Sequence, residues 1–216
     1  MIIKVSDMRD PDNIRAIEDI GVDWIGFNFN PLSERYVASP PSYLPKYAKR
    51  IGVFKETSIE EIIAHIEKFQ LDGIQLDGQE TTGFCHLLRK GIIQKGLSPF
   101  IIKRIDIFRQ SDIRQVIGYE KYCNYFQLEV QCHTQEKISF YNEGITHYPI
   151  NTPFLISGGI TPNSKKMFNT IHHPAWIGLN IDYHFEIAPG IKDVTLIEHF
   201  IQPKNAFSTN EILTIR

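Results

Sequence analysis

The sequence has few of the cysteines on which disulfide-stabilised and zinc-binding proteins depend. Among its 216 residues there are only Cys85, Cys123 and Cys132, and no two of them form a CxxC pair. An odd number of cysteines without paired spacing argues against a disulfide framework and a zinc ribbon, and is typical of a reducing compartment. No spacing of His, Asp and Glu indicates a metal site either. We therefore expect a cytoplasmic protein without a bound metal.

The sequence also lacks an excess of charge of either sign. It has 23 Lys and Arg residues against 25 Asp and Glu residues, a net charge of -2. This balance argues against a protein that binds nucleic acid or an anionic membrane through bulk charge. No apolar run is long enough to span a membrane, and residues 1–7 are too polar for a signal peptide. With 42% apolar residues, the chain has the composition of a soluble globular protein.

Eight short apolar runs rich in β-branched residues recur along the chain and predict eight strands. Their near-continuous apolar character is typical of parallel strands covered by helices. Their starts lie far enough apart for one strand, one helix and two loops. The runs are residues 2–5, 24–27, 51–54, 73–76, 100–105, 125–130, 154–157 and 176–181.

Helical spacing fills several of the intervals between these runs. Apolar residues recur with helical period over residues 59–69, and Ser58 with Glu61 forms a predicted capping box before them. Residues 28–41 and the polar tail at 203–216 look irregular. The pattern predicts a single (β/α)8 barrel over residues 1–202, with a doubly wound open sheet as the alternative. The absence of G-x-G-x-x-G after the first run weakens that alternative.

Polar residues collect at the carboxyl ends of the predicted strands, where barrel enzymes carry their chemistry. Strand ends that meet water also collect polar residues, so this pattern alone does not establish a site. Three carboxylates, Asp7, Asp77 and Glu129, are candidates for proton transfer. Lys4 lies inside an apolar strand, where a lysine needs a partner. Arg35 either clamps an anion or is a solvated loop arginine.

The segment Ser157-Gly158-Gly159 joins the seventh run to a predicted helix start at Thr161-Pro162. Glycines at such a junction let backbone N–H groups approach an anion, and the loops after strands seven and eight hold phosphate in many barrels. A plain tight turn would also favour two glycines. We favour phosphate binding because of the position in the predicted barrel.

Six short motifs follow one another in order along almost the whole chain. They are residues 3–9 (IKVSDMR), 26–37 (GFNFNPLSERYV), 51–54 (IGVF), 74–80 (IQLDGQE), 155–162 (LISGGITP) and 186–193 (EIAPGIKD). Together they resemble the phosphoribosylanthranilate isomerase family, from residue 1 to about residue 201. The resemblance implies a (β/α)8 fold and an Amadori rearrangement of N-(5-phosphoribosyl)anthranilate in tryptophan biosynthesis, with no cofactor.

The resemblance also implies roles for individual residues. Ser6 stands at the position of the family's base, a cysteine, and Glu129 at that of its acid, an aspartate. Lys4, Gly158 and Gly159 are expected to hold the phosphate, and Arg35 to meet the anthranilate carboxylate. The remaining expected substrate-binding residues are Gln75, Asp77, Asp182 and Tyr183.

Several positions depart from the family's pattern. Besides Ser6 and Glu129, Asp77 replaces a histidine, and residues 131–137 do not match the family's glycine-rich loop. Tyr183-His184 replaces a small Ser-Gly pair and is expected to crowd a phosphate. Three hypotheses therefore remain open: an isomerase of this family, a diverged barrel that binds a phosphorylated ligand without this activity, and an enzyme for another phosphorylated ligand. We expect a monomer, although relatives include dimers.

Overall fold

A computed structural model describes residues 1–131, 139–141, 143–168 and 171–202 of the chain. The predicted tail at 203–216 and most of the loop at 131–137 lie outside the described residues. Eight parallel strands form a closed barrel in sequence order, and β8 pairs with β1. The closure confirms the predicted barrel and excludes the open sheet. The strands are β1 Ile2–Val5, β2 Trp24–Asn28, β3 Lys49–Phe54, β4 Gly73–Leu76, β5 Phe100–Ile107, β6 Tyr125–Val130, β7 Phe154–Ser157 and β8 Trp176–Ile181.

The helices begin where their capping residues predict. Asp10 accepts hydrogen bonds from two backbone N–H groups at the start of α1, and Ser58 accepts one from Glu61 at the start of α2. Such caps satisfy donors that the helix itself leaves unpaired. The α-helices are α1 Pro11–Asp19, α2 Ile59–Phe69, α3 Thr82–Gln94, α4 Lys165–Phe168 and α5 Val194–Ile201. Short 3₁₀ helices cover Gln110–Val116, Gly144–His147, Pro162–Ser164 and Tyr183–Phe185, and a small hairpin pairs β9 Glu186–Ala188 with β10 Ile191–Lys192.

The connection between β2 and β3 differs from the repeating strand-helix unit. Residues 29–48 are all described and contain no helix, because four prolines interrupt the segment. A buried carboxylate from α1 fixes it instead. Glu18 Oε1 accepts the backbone N–H groups of residues 46–48 at 2.8, 2.6 and 2.8 Å, and the Tyr43 hydroxyl donates to Oε2. Burial alone would raise the pKa of Glu18, but these hydrogen bonds hold it below its ordinary value.

The apolar core is divided by the barrel wall. A large cluster fills the space between the strands and the outer elements. A second, smaller cluster of Trp24, Ile51, Ile102 and Leu155 fills the inside of the barrel. At the amino-terminal ends of the strands, the rings of Trp24, Phe100 and Tyr125 contact one another, with centroids 5.0 to 5.2 Å apart. The lower end of the barrel is therefore closed by aromatic side chains.

The described helices are short. None of them combines the length and the apolar character that a bilayer crossing requires. In the same residues, no group of three or more His, Cys, Asp or Glu side chains is arranged to hold a metal ion. Cys85 and Cys123 are both buried and unbridged.

Candidate active site

A cavity of about 820 Å³ opens at the carboxyl ends of the strands. Its floor and walls come from polar residues two positions apart along the strands, because alternate side chains of a strand point to the same face. The inward-pointing pairs are Lys4 and Ser6 at the end of β1, Gln75 and Asp77 at the end of β4, Arg104 and Asp106 on β5, Gln127 and Glu129 on β6, and Asn180 and Asp182 at the end of β8. The site therefore lies where barrel enzymes carry their chemistry.

Glu129 is a mostly buried carboxyl in the cavity wall, with 16% of its side chain exposed. Burial raises its pKa, while Arg104 and a hydrogen bond with Ser157 act in the opposite direction without cancelling the effect of burial. A carboxyl with a raised pKa keeps its proton to higher pH than usual. Glu129 is thus suited to donate a proton inside the cavity.

Arg104 is the cation nearest to this carboxyl among the described contacts. It pairs with Asp77 at 3.4 Å, with Asp106 at 2.8 Å and with Glu129 at 4.0 Å. Burial opposes its charge, but the three carboxylates raise its pKa well above the ordinary value. The sequence places Arg104 at a strand end without assigning it a role, and only the closed barrel shows that the three carboxylates face it.

Lys103, the neighbour of Arg104 along β5, points out of the barrel. Its ammonium group donates to the carbonyl oxygens of Leu76 and Gly78 and forms a buried ion pair with Glu80 at 3.0 Å. Two adjacent strand residues face opposite sides of the sheet, so only one of the pair can reach the cavity.

Ser6 lines the cavity and is connected to the interior beneath it. Its hydroxyl receives a hydrogen bond from Lys4 Nζ at 2.6 Å and donates one to Asn180 Oδ1, also at 2.6 Å. Lys4 is fully buried and does not line the cavity. Its ammonium group donates to Ser6, Asn180 and Gln127. All three hydrogens of the ammonium group thus have acceptors beneath the cavity floor, and the expectation that Lys4 holds the phosphate stays a prediction.

Arg35 lies in the cavity wall on the segment after β2, as expected. Its guanidinium is held by Glu186 through three hydrogen bonds of 2.6 to 3.0 Å. Glu186 also receives a hydrogen bond from the buried ammonium of Lys192 at 2.8 Å. Burial alone would raise the pKa of Glu186. The hydrogen bonds from Arg35 and Lys192 outweigh the effect of burial and lower this pKa to about 2. Glu186, on β9, is a site residue to which the sequence reasoning assigned no role.

Gly158 and Gly159 line the cavity after β7, both with positive φ angles, +92° and +63°. A Cβ atom on Gly158 would lie 2.5 Å from the backbone oxygen of Val130. The loop therefore requires glycine at that position both for its conformation and for the close approach of β6. The helix expected after Thr161 begins as a 3₁₀ turn, Pro162–Ser164, and continues only through the four residues of α4.

The rim beyond β8 carries Asp182 and Tyr183, both in the cavity wall. Burial raises the pKa of Asp182, and a contact with His184 partly opposes the shift. The ring of Tyr183 lies 4.0 Å from that of His184, and 55% of Tyr183 is exposed. This aromatic pair stands at the rim where the sequence predicts crowding.

Gln75 and Asp77 form the opposite part of the wall. Gln75 donates to Asp77 at 2.6 Å. In the described part of the chain, Gln75 Oε1 is a buried acceptor without a hydrogen-bond partner. Buried acceptors are rarely left unpaired, so this oxygen is available to a donor group of a ligand.

Comparison with known proteins shows the family to which this chain is similar. The family model described as N-(5'phosphoribosyl)anthranilate (PRA) isomerase matches residues 3–203. The chain belongs to this isomerase family. Among its relatives, the N-(5'-phosphoribosyl)anthranilate isomerase of Phocaeicola vulgatus is 40% identical over 203 residues, covering 93% of this chain and 96% of the relative. That of Parabacteroides distasonis is 34% identical over 210 residues, covering 94% and 92%.

Solved structures of the isomerase family have the same fold. Phosphoribosyl anthranilate isomerase from Thermotoga maritima superposes with a TM-score of 0.75 at 21% identity, covering 93% of this chain and 97% of the other. A family structure in complex with reduced 1-(o-carboxyphenylamino)-1-deoxyribulose 5-phosphate has a TM-score of 0.72 at 22% identity, covering 93% and 96%. At these identities the likeness establishes the (β/α)8 fold of this family member.

Proposed function

We propose that this chain is a phosphoribosylanthranilate isomerase that catalyses the Amadori rearrangement of N-(5-phosphoribosyl)anthranilate. The reaction opens the ribofuranosyl ring and yields a 1-amino-1-deoxyribulose phosphate, a step of tryptophan biosynthesis. It requires one proton donated to the ring oxygen and one removed from C2, and it needs no cofactor. We also propose that the protein is cytoplasmic and monomeric.

The observation that carries the proposal is the buried carboxyl of Glu129 in the cavity wall. In the proposed mechanism Glu129 protonates the ring oxygen, and its raised pKa keeps the proton in place for this step. Arg104, 4.0 Å away, stabilises the carboxylate that forms when the proton leaves. The cavity supplies both a proton donor and the charge to stabilise its conjugate base.

Ser6 occupies the base position directly after β1, in the same cavity as Glu129. Gly158 and Gly159 leave room for the backbone to approach the phosphate, as loops at this place in a barrel do. Arg35 is proposed to meet the anthranilate carboxylate, with its guanidinium oriented by Glu186. Gln75 Oε1 accepts a hydrogen bond from the substrate. Asp77, Asp182 and Tyr183 complete the substrate-binding wall.

The test is a turnover assay with N-(5-phosphoribosyl)anthranilate generated in place and followed by the loss of its fluorescence. The double variant Ser6→Ala, Glu129→Gln is expected to lose activity by at least about a hundredfold, since general acid and base steps each contribute 10² or more. Glu34→Gln changes an exposed carboxyl outside the cavity and serves as the matched control. A folded wild type without turnover would refute the proposal.

One observation favours a second candidate, a barrel that binds a phosphorylated ligand without this activity. A serine hydroxyl is a far weaker base than a thiolate, and Ser6 stands where the family has cysteine. If the wild type is inactive but Ser6→Cys with Glu129→Asp restores turnover, the second candidate is correct.

A further inference from the structure

The side chain below Ser6 connects the cavity to the closed interior of the barrel. Lys4 Nζ lies 2.6 Å from Ser6 Oγ, 2.8 Å from Asn180 Oδ1 and 3.3 Å from Gln127 Oε1. Asn180 is itself oriented, because its Nδ2 donates to Ser157 at 3.0 Å. Its oxygen is therefore fixed toward Lys4 and Ser6. The lysine is surrounded by acceptors whose positions are set by other strands.

This set of partners satisfies both protonation states of Lys4. A charged ammonium has three hydrogens for three acceptors, namely Ser6, Asn180 and Gln127. A neutral amine has two hydrogens, for the amide oxygens of Asn180 and Gln127, and one lone pair directed at Ser6. The Ser6 hydroxyl then rotates from Asn180 toward the amine. Neither state leaves Lys4 itself without partners, so proton transfer from Ser6 needs no movement of the backbone.

The electrostatic surroundings of Lys4 bring its pKa close to neutral pH. Burial lowers the pKa of Lys4 to about 8, and the carboxylates of Asp7, Asp77, Glu129 and Asp182 oppose the shift. These four groups lie at the ends of β1, β4, β6 and β8. A fully buried lysine with this pKa is neutral in about one molecule in ten at pH 7.

We propose that Lys4 is the positioning residue that makes Ser6 a base: it accepts the Ser6 hydroxyl proton while Ser6 Oγ accepts the proton from C2 of the substrate. The inference rests on the proposed function. The C2–H bond breaks, and its electron pair forms the C1=C2 bond of the enolamine. The electron pair of the C1=N bond moves onto nitrogen. The Ser6 O–H bond breaks as a new O–H bond forms to the proton from C2, and Lys4 becomes an ammonium.

A cycle of variants separates this role from a structural one. Lys4→Met is expected to lower kcat by at least about a hundredfold when Ser6 is present. In the Ser6→Cys background the same change is expected to cost less than about tenfold, since a thiol ionises without the lysine. Lys90→Met, which removes an exposed lysine of α3, is the control for both backgrounds. Equal losses from Lys4→Met in both backgrounds would overturn the inference.

The pH profile supplies a second readout that a structural lysine would not change. In the proposed mechanism Glu129 is protonated and Lys4 is neutral, so the profile of kcat/KM against pH contains the ionisation of each group. The limb set by Lys4 is expected near pH 8 and is expected to be absent in Lys4→Met. An unchanged profile would contradict the inference.

A chemical probe tests the pair without turnover. Phenylmethylsulfonyl fluoride forms a bond between Ser6 Oγ and sulfur, fluoride leaves, and Lys4 takes the proton. Mass spectrometry of the wild type is expected to show labelling of Ser6 at a rate that rises through about pH 8, and none in Lys4→Met. If the wild type is inactive but Ser6 is labelled in this way, the proposed function is refuted and the role of Lys4 toward Ser6 is supported. If the wild type is inactive and Ser6 is not labelled, both the proposed function and the role of Lys4 are refuted. If the wild type is active and Lys4→Met costs the same in the two backgrounds, only the role of Lys4 is refuted.

Discussion

Replacing Glu18 is expected to release the helix-free segment at residues 29–48 from α1. Glu18 Oε1 accepts three backbone N–H groups at 2.6 to 2.8 Å. Each hydrogen bond to a charged group contributes about 1.5–3 kcal/mol. The three share one oxygen, so their energies do not add in full. We expect Glu18→Ala to lower the free energy of unfolding by about 3 kcal/mol, and Glu18→Gln, which keeps the oxygen without the charge, by about 1 kcal/mol.

The difference between wild type and Glu18→Gln depends on pH with a defined sign. The pKa of Glu18 is lowered in the folded state from an ordinary value of 4.5. The stabilisation is therefore complete above about pH 4.5 and is lost as the pH falls through the folded-state pKa. The two unfolding free energies are expected to differ by a constant amount from pH 6 to 8 and to converge in acid.

Urea unfolding gives the global change, and hydrogen exchange of the amides of residues 46–48 gives the local one. In Glu18→Ala these amides are expected to exchange faster than the rest of the barrel. The released segment carries Arg35, so the KM for the proposed substrate is expected to rise more than kcat falls. Asp19→Asn, an exposed change on the same helix, is the control. Unchanged unfolding and unchanged exchange at residues 46–48 in Glu18→Ala would refute the anchoring role.

Three further changes test other parts of the structure. Arg104→Met removes the cation that lowers the pKa of Glu129, so the limb of kcat/KM that Glu129 sets is expected to move up by about one unit, while Arg104→Lys leaves it in place. Gly158→Ala places a Cβ atom 2.5 Å from the backbone of Val130 at a residue with positive φ. The free energy of unfolding of this variant, measured in urea, is expected to be about 2–4 kcal/mol lower than that of the wild type. Lys103→Met leaves a buried carboxylate unpaired and is expected to cost about 3–5 kcal/mol in the same assay, with a loss below 1 kcal/mol counting against the ion pair.

Much of the fold follows from local patterns in the sequence. The eight apolar runs predict all eight barrel strands, with ends that differ by at most two residues. Asp10 and Ser58 mark helix starts because capping is a local interaction. The segment at 29–48 was predicted as irregular only to residue 41. Its remainder is fixed by Glu18, twenty-five or more residues away along the chain, and no local pattern indicates such a contact.

The candidate site could be predicted in its position but not in its pairings. Strand ends identified Ser6, Asp77 and Glu129 as members of one rim, because parallel strands align their carboxyl ends. The inward or outward direction of Lys103 and Arg104 depends on the register of β5 in the closed barrel, which two adjacent basic residues do not reveal. The partner of Ser6 is likewise a matter of geometry. The structure shows that this partner is Lys4, whose Nζ donates to Ser6 Oγ.

Among the described residues, the aromatic side chains close the lower end of the barrel, and the cavity opens at the other end. Lys4 is fully buried, and its partners Ser6, Asn180 and Gln127 separate it from the cavity. A ligand bound in the cavity then covers the polar residues beneath it. The hydrogens of the Lys4 amine are then shielded from solvent for as long as the ligand stays. The residence time of a ligand would thus be recorded in the deuterium content of a side chain that does not line the cavity.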